Sequence, residues 1–135
     1  METNLLKALG NIVKNPNNDL IVQYKSLNRM NSMGEALEFY IKDIFCDTLS
    51  ESDISKKEIS YAKCFSYLGN QNNPPDIIIK SGDAIEVKKH IGARAGGLAL
   101  NSSYPKDFLY SDSPMITTAC RECEEWSKKD LVYVV

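Results

Sequence analysis

The sequence has little of what several common functions require. Histidine occurs once, as His90, and no internal repeat, low-complexity tract or linker divides the 135 residues. No apolar run approaches the roughly 18 residues of a membrane span, and Met1–Asn15 carries no secretory cleavage pattern. A cytoplasmic location without a membrane partner is therefore expected. Glycine (7) and proline (5) are sparse, hydrophobic residues make up 43% and charged residues 25%. That usage excludes collagen, disorder and a disulfide-stapled mini-scaffold. A chain of this length buries roughly two-thirds of its unfolded surface, enough for one core.

Charge of either sign is scarcely in excess, at −2 overall. Its distribution is uneven. Residues 76–106 hold five bases (Lys80, Lys88, Lys89, Arg94, Lys106) against three acids (Asp76, Asp83, Glu86). Residues 34–60 hold seven acids against three bases, and residues 107–135 six against three. A basic segment inside an acidic protein leaves a nucleic-acid partner open, because phosphate contacts need only a local patch. Solvated surface lysines would give the same count.

Cysteine is also short of a metal set. Cys120 and Cys123 form one C-x-x-C, while Cys46 and Cys64 lie in unrelated segments. Without a second pair or two spaced histidines, a zinc site lacks half its ligands. Packed, reduced thiols are the expectation.

The patterning predicts an α/β domain with a mixed sheet. Leu5, Leu6, Leu9, Ile12 and Val13 follow a helical period that Asn15-Pro16 stops. A second helix is predicted from about Asp19 to Met30. A third follows Ser32, where Ser32-Met33-Gly34-Glu35 has capping-box spacing; its buried stripe would be Leu37, Tyr40, Ile41, Ile44 and Phe45. From residue 59 the chain reads as strand: Ile59–Leu68, then, past the breaker Gly69–Pro75, Asp76–Lys80 and Ala84–Lys88 around Ser81-Gly82-Asp83. Gly92–Tyr104 reads as a loop. Ser113-Pro114 is predicted to open a helix reaching Trp126, and Leu131–Val135 to form a last strand.

The chemistry gathers on the hairpin. Pro75-Asp76 precedes one strand and Glu86-Val87-Lys88 lies on the next. Hard cations such as Mg²⁺ take carboxylate oxygens together with substrate phosphate and water. A nearby ammonium can orient a water and stabilise charge on a phosphate under attack. If Ser81-Gly82-Asp83 is the loop, Lys80 faces Ala84, Ile78 faces Glu86 and Asp76 faces Lys88, so Asp76, Glu86 and Lys88 share one face. Ile77, Ile79, Ile85 and Val87 then form the apolar face. A two-residue turn would instead put Asp76 on the face opposite Lys88. On the third helix, Glu38 sits at the edge of the stripe, where it suits either a third metal ligand or a water-satisfied boundary position. Glu35 falls on the far side, with its capping role.

The order of a helix with Glu38, a strand, Pro75-Asp76, Glu86-x-Lys88, a helix and a strand resembles the PD-(D/E)xK nuclease superfamily. Longer segments resemble the NgoPII-type type II restriction endonucleases across nearly the whole chain: Tyr24–Arg29, Gly34–Glu38, Asn70–Asp76, Gly82–Lys89, Ala99–Pro105, Asp112–Met115 and Cys120–Cys123. The resemblance implies Mg²⁺-dependent cleavage of double-stranded DNA at a short, GGCC-like palindrome, by a homodimer paired functionally with a DNA methyltransferase. It implies Asp76 and Glu86 as metal ligands, with the Val87 carbonyl as a further one, and Lys88 as the residue that positions water or stabilises the phosphate. Arg94, Asn101, Ser102, Ser103 and Tyr104 follow the catalytic strand, in a loop suited to DNA contacts. His90 could donate to a phosphate, and Lys89, on the opposite parity, is a structural residue or a backbone contact. Proteins of this type are longer, so residues 1–135 are expected to be one catalytic core domain from the N-terminal portion, helical over 1–58 and sheet plus helix over 59–135. A junction- or end-processing nuclease of the same superfamily, a non-catalytic DNA-binding fragment, and a module built on Cys120 and Cys123 are the alternatives.

Overall fold

The computed structural model describes residues 2–16, 24, 33–69, 72–88 and 108–135. They fall in two compact units, Met1–Cys64 and Phe65–Val135. Among the described residues, no helix is long and apolar enough to cross a membrane.

The first unit contains α1 (Leu5–Lys14), α2 (Met33–Cys46) and α3 (Ile54–Cys64). Helix α1 begins where the Asn4 side chain accepts the Lys7 amide at 3.0 Å, and it ends at Asn15, ahead of Pro16. Its buried residues are Ala8 and Asn11, whereas Leu6 and Val13, from the predicted stripe, are 79% and 81% exposed. The reason is a close polar contact with α2. Asn11 Nδ2 donates to the Ile44 carbonyl at 2.6 Å and the Thr3 hydroxyl donates to the Phe45 carbonyl, so the small face of α1 turns inward.

Helix α2 buries Ala36, Ile41, Ile44, Phe45 and Cys46, with Leu37 and Tyr40 half-buried. It also buries Asp43 completely, and four donors converge on that carboxylate. The hydroxyls of Tyr24 and Thr48 and the Lys57 ammonium each donate at 2.6 Å, and the Tyr61 hydroxyl at 2.5 Å. Lys57 and Tyr61 lie four residues apart on α3, where a strand was expected from residue 59. Asp53 precedes helix α3 and its carboxylate accepts the Ser55 amide at 2.9 Å, and the helix's inward residues Lys57, Tyr61 and Cys64 keep helical spacing. The helical part therefore runs to Cys64 rather than to residue 58. The predicted helix over 19–30 and Ser32 lie outside the described residues, apart from Tyr24.

The second unit is built on a four-stranded mixed sheet in the order β1-β2-β3-β6: β1 (Phe65–Leu68), β2 (Ile77–Ile79), β3 (Ala84–Val87) and β6 (Leu131–Val134). β1 and β3 flank β2 antiparallel, and β6 runs parallel to β3. A short ribbon joins β4 (Leu109–Tyr110) to β5 (Lys128–Lys129). Tyr67, Ile78 and Ala84 pack with Leu109, Ile116 and Cys120 into a core that Trp126 and Leu131 cover in part. Between the two short strands, α4 covers only Thr118–Glu122, not the expected Ser113–Trp126. Thr117 caps it through the Cys120 amide, at 3.1 Å. The Arg121 guanidinium donates to the carbonyls of Ser111 and Ser113 and thereby holds the stretch around Pro114 as a turn.

Candidate active site

The hairpin forms, but its register differs from the expected one. Ile77 pairs with Ile85 and Ile78 with Ala84, two residues away from the pairing of Ile78 with Glu86. The physical reason is burial. Ala84 is fully buried, so the expected pairing would have set the Lys80 side chain beside it in the core. The chain instead turns at Lys80-Ser81-Gly82: the Gly82 amide donates to the Ile79 carbonyl at 2.9 Å, and the Ile79 amide to Asp83 at 3.0 Å. Lys80 is left exposed. A shift of two preserves the alternation of faces. The apolar residues are not confined to one face, however, since Ile78 and Ala84 are buried as deeply as Ile77, Ile79 and Ile85.

Asp76 lies at the entry to β2. Its amide donates to the Ile85 carbonyl at 3.0 Å, and its carboxylate Oδ2 accepts the Val87 amide at 2.6 Å. Main chain and side chain of Asp76 thus bracket Glu86 on the neighbouring strand. Glu86 is 4% exposed on β3, between β2 and β6. One of its oxygens, Oε1, meets the Lys88 ammonium at 2.8 Å. The other, Oε2, is buried with no hydrogen-bond partner among the described residues. A carboxylate oxygen in that state is costly by about 1–3 kcal/mol unless something else binds it. Lys88 leaves the sheet as its amide donates to the Val134 carbonyl at 2.8 Å, and its side chain remains 19% exposed. An ammonium in partial contact with solvent thus pairs with a buried carboxylate, while the Asp76 carboxylate on the next strand holds the intervening Val87 amide.

The other predicted site residues are placed less fully. Glu38 is carried half-buried on α2 in the helical unit. Lys89, His90, Arg94, Asn101, Ser102, Ser103 and Tyr104 lie outside the described residues. Among the described residues, no group of three or more histidines, cysteines, aspartates or glutamates is placed to hold a metal. Cys120 is fully buried in the sheet core, where burial and the adjacent Cys123 push its thiol up to about 11. Cys123 Sγ points to the Ser66 hydroxyl at 3.6 Å.

A family model described as NgoPII restriction endonuclease matches residues 3–135. The chain belongs to the NgoPII restriction endonuclease family. It is 44% identical over 132 residues to the type II restriction enzyme NgoPII of Neisseria gonorrhoeae, a match covering 98% of this chain and 47% of that protein. The chain thus spans about half the length of the curated relative it matches. No solved structure matches it.

Two residues that sequence reasoning passed over bear on this hairpin. Glu124 and Lys129 bind the β2–β3 turn, at the end of the strands away from Asp76. Lys129, set between Lys128 and Asp130, reads as one charge in a polar run, and only its burial in the fold distinguishes it.

Proposed function

We propose that this chain carries the catalytic core of a type II restriction endonuclease of the PD-(D/E)xK kind. The activity is Mg²⁺-dependent hydrolysis of double-stranded DNA at a short, GGCC-like palindrome. One observation carries the reading: Glu86 is buried with one oxygen on Lys88 and the other unpartnered, beside Asp76 on the adjacent strand.

The donor set suits a hard cation, since two carboxylates supply the oxygen ligands such ions prefer. Asp76 and Glu86 would hold it, with the Val87 carbonyl as a further oxygen. A bound Mg²⁺ supplies Lewis acidity at the scissile phosphate and a more acidic water. Lys88, fixed by Glu86, presents its ammonium to the attacking water and to the charge that builds on the phosphate oxygens. Water attacks phosphorus and the bond to the 3′-oxygen breaks, leaving a 5′-phosphate and a 3′-hydroxyl. Arg94, His90, Lys89 and the Asn101–Tyr104 segment are proposed DNA contacts, in a segment whose charge is basic. A homodimer fits a palindrome by symmetry, and a methyltransferase of matching specificity is the proposed partner that protects host DNA. The cytoplasm is the proposed location.

Plasmid cleavage with mapped ends tests the proposal. With Mg²⁺ the chain should cut at a fixed short palindrome, and Asp76→Ala and Lys88→Ala should each lower the rate by at least about 100-fold. Cutting at branched junctions alone would move the assignment to a junction nuclease. Equal activity in Lys88→Ala would remove the lysine from the chemistry.

A further inference from the structure

Strand β2 is Ile77-Ile78-Ile79, with every residue buried. A strand normally takes its register from alternation, because a slip of one residue exchanges the buried face for the exposed one. In β2 a slip exchanges isoleucine for isoleucine. Burial excludes the two-residue slip that would set Lys80 beside Ala84, but the three isoleucines do little to exclude a slip of one, in which Asp76 would no longer oppose Glu86.

The choice is made at the turn. Ser81 adopts φ 56°, in the left-handed region that a residue other than glycine enters at a cost. Two side chains from the C-terminal part of the unit hold it there. Glu124 Oε2 accepts the Ser81 amide at 3.0 Å, and Lys129 Nζ donates to the Gly82 carbonyl at 2.7 Å. Lys129 and Glu124 are themselves an ion pair, with side chains 6% and 17% exposed. On the other side of β2, the Ser66 hydroxyl donates to the Ile78 carbonyl at 3.5 Å. Ser66 lies where the β1–β2 register shifts, between Phe65 and Tyr67.

We propose that Glu124 and Lys129 are positioning residues for the nuclease site: they select the three-residue turn and so hold β2 in the register that brings Asp76 to Glu86. Neither touches the reacting groups, because the turn and the site lie at opposite ends of the two strands. The inference rests on reading Asp76, Glu86 and Lys88 as the active site.

The test compares wild type, Glu124→Ala, the isosteric Glu124→Gln, Lys129→Met, and Glu124→Ala combined with Ser81→Gly. Glycine adopts a positive φ without the penalty, so it favours the turn without restoring the ion pair. Three quantities are read: cross-strand NOEs between Ile78 and Ala84, Mg²⁺ affinity by titration, and cleavage kinetics. In Glu124→Ala and Lys129→Met, the Ile78–Ala84 NOEs should weaken, Mg²⁺ affinity should fall at least tenfold, and kcat should fall with KM for DNA held within about twofold, a pattern of lost transition-state positioning. Glu124→Gln, which keeps an acceptor for Ser81, should lie between these and wild type. Adding Ser81→Gly should restore most of the NOE intensity and Mg²⁺ affinity. A purely structural ion pair would lower thermal stability and leave NOEs and affinity at wild-type values, and that result overturns the proposal. Failure of Ser81→Gly to restore either quantity also overturns it. A wild type that binds no Mg²⁺, or an Asp76→Ala variant as active as wild type, overturns the site reading itself. Mg²⁺ binding lost in Asp76→Ala and unchanged in Glu124→Ala overturns the clamp alone.

Discussion

At the scale of single residues, Glu86 carries the sharpest consequence. Its buried Oε2 lacks a partner among the described residues while Oε1 is held by Lys88. Without a cation, the side chain therefore works against stability. Glu86→Gln removes that charge at constant shape, and Lys88 can still reach solvent. The metal-free variant should melt at or above the wild-type temperature. Adding Mg²⁺ should raise the wild-type melting temperature, with stabilisation of about 2.7 kcal/mol at a hundredfold excess over Kd, and should leave Glu86→Gln unmoved. Calorimetry with and without Mg²⁺ checks both halves. An equal Mg²⁺ shift in the two proteins would place the cation elsewhere. Asp76 contributes differently, since its Oδ2 is already engaged by the Val87 amide and the strand itself orients it.

Among elements, helix α2 depends on a polar interior. Asp43 has no exposed surface and accepts from Tyr24, Thr48, Lys57 and Tyr61. Removing it leaves a buried ammonium and three hydroxyls without their acceptor. Asp43→Ala should cost about 3–5 kcal/mol, read as a lower urea midpoint. Asp43→Leu with Lys57→Met should be less damaging than either single change, because no buried charge is stranded. The same polar interior explains what the sequence hid. Boundaries were legible where local chemistry marks them: Asn15-Pro16 ends α1, the last apolar run is β6, and the hairpin around Gly82 exists. Helix α3 was hidden because its inward residues include Lys57, which a search for apolar spacing discards. The inward face of α1 was hidden because Ala8 and Asn11 meet α2, while the larger leucines lie outside. The hairpin register was ambiguous because Ile77-Ile78-Ile79 has no alternation to read. Of the proposed site, Asp76, Glu86 and Lys88 were legible as a local motif. The Ser81 clamp was not, because Glu124 and Lys129 are more than 40 residues further along the chain.

Across the whole molecule, the two units carry separate optical signals. The single tryptophan, Trp126, belongs to the sheet unit, whereas two of the seven tyrosines, Tyr24 and Tyr61, surround Asp43 in the helical unit. Burial, and then the hydrogen bond to Asp43 and its charge, push both phenols far above their ordinary range. A raised folded pKa contributes stability that is fully present below the unfolded value near 10 and is lost as the pH rises beyond it. In an alkaline titration the accessible tyrosines should therefore ionise first. The tyrosinate of Tyr24 and Tyr61 should appear only in a later, cooperative step that coincides with loss of helical circular dichroism. In Asp43→Asn that step should move to lower pH, since weaker packing outweighs the lost repulsion. A smooth single-phase ionisation of every tyrosine would contradict the buried network. Asp43 thus gives the protein an internal gauge: tyrosinate absorbance follows the helices, tryptophan fluorescence follows the sheet that bears Asp76 and Glu86, and comparing the two shows whether the halves of the chain melt together or in turn.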